Sequence, residues 1–149
     1  MNRTLSLTLF LLMTIVLMGS AVPATYAHSC TLNNVSGAYG YTSSGTVVSP
    51  AIGPFAAVGR VTFSASGTFS GAQTTSIGGT LVEETVSGTF TVNSDCTATA
   101  TVNVYHGTTL ARTTNLNLVF EDDQKSVRAI FLTTGTVITI SGRRIFTED

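Results

Sequence analysis

The chain has 149 residues, a formal net charge of −1, only 10% charged residues and no tryptophan. It lacks the clustered cationic surface that nucleic-acid binding requires; Arg143-Arg144 is too short to form one. No cofactor fingerprint or metal-ligand cluster stands out, so no cofactor and no metal are expected.

Arg3 precedes an apolar-rich stretch from Leu5 to Met18, followed by Pro23 and the small-residue end Ala24-Thr25-Tyr26-Ala27. A positive start, a short apolar segment and small residues before a cut predict a signal-peptide helix, residues 1–27, cleaved after Ala27. The alternative is an uncleaved anchor, but the stretch is shorter than the roughly 20 residues of a spanning helix, so no stable membrane span is expected after cleavage. Lipid attachment at Cys30 is a further alternative, with His28-Ser29 a poor context for it. The remaining residues, 28–149, form one domain, expected to be secreted or periplasmic. Cys30 and Cys96 are the only cysteines. In an exported chain an even count reads as a disulfide rather than a reactive pair.

After residue 27 threonine occurs 23 times, and threonine and valine favour pleated strands. Eight strand-like runs follow in order. They are Val35–Ser43, Phe55–Ser64, Thr68–Ile77, Leu81–Val92, Thr97–Tyr105, Thr108–Phe120, Val127–Thr133 and Thr136–Ile145. Short turns such as Gly78-Gly79 and His106-Gly107 join most of them, and Glu121–Ser126 reads as a charged, exposed turn. Such strands predict an all-β fold, an eight-stranded antiparallel up-and-down β-barrel. A sandwich is the rival, but it would need longer crossovers.

Alternation assigns an inner face that includes Phe55, Phe63, Phe69, Val86, Phe90, Val104, Leu110 and Leu118. Three polar residues interrupt it: Gln73, Glu84 and Arg112. Inside a barrel, Glu84 and Arg112 would have to pair, and could then orient the polar end of a small apolar ligand. Tyr39, Tyr41, Phe63, Phe69 and Phe90 would complete such a site. The competing reading puts these polar side chains at strand ends or on bulges, reaching water. His106 reads as a solvated turn residue. An N-terminal His28 could chelate copper, but nothing else supports that. Asn34-Val35-Ser36 matches the short glycosylation pattern, and Glu121-Asp122-Asp123 lacks the spacing of a calcium loop.

The segments Pro54–Phe63, Ser87–Thr97 and Gly135-Thr136-Val137 resemble a group of small exported bacterial proteins of unknown function. More distantly, the architecture resembles allene oxide cyclase-like and calycin barrels, which implies binding or cyclisation of apolar molecules. No catalytic residue of those families can be matched here. The expected role is therefore binding of a small apolar molecule in the barrel, with enzymatic activity less expected. A cyclase or isomerase, or a structural or adhesive surface protein, are the alternatives. The sequence sets no oligomeric state.

Overall fold

The computed structural model describes residues 29–50 and 52–145; the expected signal peptide, its cleavage point and His28 lie outside the described residues. Eight antiparallel strands form a closed barrel in sequential order. They are β1 (Gly37–Val47), β2 (Gly53–Phe63), β3 (Thr68–Ile77), β4 (Thr80–Val92), β5 (Thr97–His106), β6 (Thr109–Glu121), β7 (Ser126–Phe131) and β8 (Thr136–Arg144). The period-2 pattern drives this outcome. In β5, Thr97, Thr99 and Thr101 face water while Ala98, Ala100, Val102 and Val104 are buried. Closure pairs β1 with β8 and leaves no free sheet edge along most of the barrel.

The first expected strand begins too early. Leu32–Val35 instead form a short helix, α1, because Thr31 caps it: the Thr31 hydroxyl accepts from the Asn34 amide, and the Asn34 side chain accepts from the Thr31 amide. Leu110, expected inside, lies outside and is 52% exposed. A bulge explains this: Val104 faces Arg112 but Tyr105 faces Leu110, so Ala111 is an extra residue in β6. The extra residue turns Leu110 outward and leaves Arg112 directed inward.

The two barrel ends differ. At one end the N-terminal segment folds across the opening, with Cys30 and Val35 buried. Beneath it, Phe63 packs against Tyr39, Phe69, Phe90 and Phe120 at centroid distances of 4.9–5.9 Å. The β6–β7 turn closes over the same end and is less exposed than its charge suggests. Asp122, Asp123 and Gln124 all take left-handed conformations, with φ of 54°, 56° and 59°. This tucks Gln124 inward, where the Tyr39 hydroxyl donates 2.6 Å to its carbonyl. Arg144 fastens the cap by donating to the carbonyls of Asn34 and Ser36 at 2.7 and 2.8 Å.

The Cys30–Cys96 disulfide is formed and ties this cap to the β4–β5 turn across a sequence separation of 66. Such a bond fits an oxidising compartment. Among the described residues no helix is long and apolar enough to cross a membrane. The outward faces, rich in Thr and Ser, also differ from the apolar band that a membrane-spanning barrel turns to lipid. Replacing Cys30 and Cys96 together with alanine is expected to lower the free energy of unfolding by about 4 kcal/mol, the loop-closure value, read from urea denaturation; an unchanged midpoint would show that the cap does not depend on the bond.

Candidate functional site

The open end is organised by one inward cross-strand row. Register places Tyr41 opposite Gly59, Gly59 opposite Gln73, and Gln73 opposite Glu84. Glycine at position 59 is what lets the row close. A Cβ there would meet the Ala72 carbonyl at 2.6 Å and the Tyr41 hydroxyl at 2.8 Å. With that space empty, Tyr41 reaches across β2 and donates to Gln73 Oε1 at 2.6 Å.

Glu84 is the centre of the site. It is 3% exposed, and five donors converge on its two oxygens. Arg112 donates from Nη1 to Oε1 at 2.5 Å and from Nη2 to Oε2 at 2.8 Å. Gln73 Nε2 and Thr75 Oγ1 donate to Oε2 at 2.6 and 2.7 Å. His106 Nε2 lies 2.9 Å from Oε1. Burial by itself would raise the Glu84 pKa. The hydrogen bonds from Arg112, Thr75, Gln73 and His106 outweigh it and hold the carboxyl at about 2. An ionised carboxylate only accepts, so His106 Nε2 carries the hydrogen in this contact. Burial, and then the Glu84 charge, push the Tyr41 phenol up to about 12, partly offset by Arg112; it stays a donor.

These facts limit the chemistry. Glu84 has its lone pairs committed and is no proton donor near neutral pH. Among the described residues Arg112 makes hydrogen bonds only to Glu84, so its Nε–H and outer N–H groups remain for an oxygen acceptor. Its side chain is 30% exposed. The pair is electrically neutral and so does not by itself call for a charged ligand.

Two cavities meet at Arg112. The lumen cavity has a volume of about 70 Å³ and is walled by Tyr39, Tyr41, Phe63, Phe69 and Gln73, among others. This is well below the roughly 300–1,000 Å³ of pockets that enclose drug-sized ligands. The second, of about 240 Å³, opens at a notch. β7 is the shortest strand and stops with Phe131 opposite Leu116, so β6 continues from Asn115 to Thr109 without a β7 partner strand. Residues 132–135 cross that gap. Ile52, Phe55, Ile77, Phe131 and Ile138 supply apolar walls to this notch pocket. Phe55, Arg112, Thr114 and Phe131 line both cavities and form the partition between them.

The residues expected to form a ligand site therefore separate into two groups. Tyr41, Gln73, Glu84 and Arg112 join in one hydrogen-bonded cluster. Tyr39, Phe63, Phe69 and Phe90 belong to the aromatic packing towards the closed end, and Phe90 does not line the lumen cavity. Sequence reasoning missed Thr75, the fully buried hydroxyl donor to Glu84, and His106. The latter ends β5 and joins the cluster instead of sitting free in a turn. Thr75 follows Gln73 by two residues in β3 and so shares its inner face, which is the signal the sequence offers for it. No group of three or more metal-ligating side chains is found among the described residues. In comparisons with known proteins, no family model, no curated protein and no solved structure matches this chain.

Because the folded carboxyl titrates at about 2, below its ordinary 4.5, the unfolded chain takes up this proton first as pH falls. The stabilisation from Glu84 is present in full above about pH 4.5 and is lost as pH falls through 2. It amounts to on the order of 3 kcal/mol. Denaturation midpoints recorded between pH 6 and pH 2 are expected to fall over that lower window, and the Glu84→Gln variant to lose much of this slope. Equal slopes in both proteins would mean that Glu84 does not carry the titration.

Proposed function

We propose that this chain is an exported binding protein that holds a small, largely apolar molecule in the notch pocket. The ligand would carry a carbonyl or hydroxyl oxygen, accepted by the remaining N–H donors of Arg112. The observation that carries the reading is the placement of Arg112. It is fixed by Glu84 on its inner side and borders a pocket walled by aliphatic and aromatic side chains together with Ser49 and five threonines. Apolar walls with a few polar groups among them, here the Arg112 donors and neutral hydroxyls, are what small-molecule sites present. At the ~30 Å³ that a water molecule takes in the liquid, 240 Å³ has room for roughly eight non-hydrogen atoms. The reading moves the ligand from the lumen to the notch, since the lumen cavity is too small for it.

The N-terminal pattern and the disulfide both support export to a secreted or periplasmic location. The resemblance to calycin-like or allene oxide cyclase-like barrels is one of eight-stranded architecture, which carries no activity by itself. Cyclase chemistry using Glu84 would call for a raised pKa, and the opposite holds. Adhesion through a sheet edge would call for an open edge, and closure covers most of it.

The test is native mass spectrometry of the protein purified from the cell fraction into which it is exported. Wild-type protein is expected to carry a small-molecule adduct, and Thr134→Phe, which fills the notch pocket, to lose it. A bare wild-type mass, or an adduct retained in Thr134→Phe, would contradict the assignment.

A further inference from the structure

Four strands start at the open end: β2, β4, β6 and β8. Each begins with an exposed aliphatic residue. Ile52 immediately precedes β2, Leu81 is the second residue of β4, Leu110 of β6 and Val137 of β8. They are 50%, 72%, 52% and 63% exposed. Val48, in the β1–β2 loop, adds a fifth. Alternate strands of a closed barrel lie about a quarter turn apart, so these side chains form a ring rather than one patch. At the closed end, Ile145 is the only large hydrophobic residue exposed among the described residues.

Charge is distributed the opposite way. The closed end carries Asp95, Glu121, Asp122, Lys125, Arg143 and Arg144, whereas near the open rim Glu83 is the one charge without an ion-pair partner among the described residues, beside the neutral Glu84–Arg112 pair. We infer that the open end docks on a lipid surface, immersing the aliphatic ring at the boundary of a zwitterionic bilayer. A ring around one end is buried all at once by a plane, and by no smaller partner. Among the described residues the one cationic side chain at the rim, Arg112, is neutralised by Glu84, which fits lipid without net charge rather than an anionic surface.

The area argues against a second copy as the occupant. An eight-stranded barrel with strands ~4.8 Å apart and tilted about 40° has a backbone radius of about 8 Å, and with ~5 Å of side chain around it an end face of roughly 500 Å². Two ends face to face would bury about 1,000 Å², short of the ~1,600 Å² of a standard stable interface. Both ends of the described chain, Ser29 and Ile145, leave from the closed end, so the ring is set away from them. The inference concerns the outer surface and holds whether or not the notch pocket takes a ligand.

The absence of tryptophan makes a direct test possible. Leu110→Trp and Ile145→Trp, each made in the full chain, place single fluorophores at the two ends. They are mixed with phosphatidylcholine vesicles whose acyl chains are brominated. The Leu110→Trp emission is expected to shift to the blue and to be quenched, with Leu81→Trp behaving alike and Ile145→Trp unchanged. Three results would overturn the inference: no response of either rim probe to vesicles, an equal response at both ends, or a blue shift of the rim probes that follows protein concentration without lipid, which would assign the ring to a second copy.

Discussion

A buried carboxylate needs compensation for its lost hydration, and in this barrel one carboxylate receives it from five donors. Taking an ion of that size out of water costs several kcal/mol even after relaxation. Glu84 recovers this through a bidentate guanidinium, an amide, a hydroxyl and an imidazole, drawn from β3, β5 and β6. Those strands must keep their register for the donors to converge, because a slip of one residue would turn every partner outward. The charge at the open end is thus a constraint on barrel geometry, and it fixes Arg112 in the partition below the notch.

The contrast between the two ends follows from what each one buries. The closed end is filled by aromatic rings and covered by the N-terminal cap, which the disulfide and Arg144 hold in place. Among the described residues nothing comparable covers the open end. There the short β7 leaves a notch, the polar row lies beneath it, and aliphatic side chains ring the outside. A packed end and an open, apolar-rimmed end give the molecule a direction. That direction is what a barrel collecting a small apolar molecule from a lipid boundary would require, which joins the two proposals without making either depend on the other.

Much of the fold was legible because strand alternation is a strong local signal. Thr-Ala-Thr-Ala in β5 and the Phe–Ala–Gly–Val–Phe face of β2 assign their inner sides unaided. The pairing of Glu84 with Arg112 was legible only as one of two readings: each interrupts an apolar face and neither could be buried alone, but strand ends or bulges could equally have taken them to water, and Glu83 beside Glu84 left the choice to register. Leu110 was not legible, because a bulge shifts the phase of a strand and leaves no mark in composition. The partnership of His106 with Glu84 was hidden for a different reason. It depends on which residues face each other across β4 and β5, and that register is set by the whole barrel. The size of the lumen could not be read either, since it depends on how tightly five aromatic rings interlock. Gly59 looked like an ordinary small interior residue, and only the reach of Tyr41 across it gives it a role.

The measurement that bears most directly on this account is a double-mutant cycle of unfolding free energies for Glu84→Leu and Arg112→Met. Each single substitution leaves one partner inadequately paired and is expected to cost roughly 3–5 kcal/mol. The double variant is expected to cost distinctly less than the sum of the two, since both charges leave together. Additive losses would contradict the account, because they would mean that the two side chains act independently and that no buried pair organises the open end.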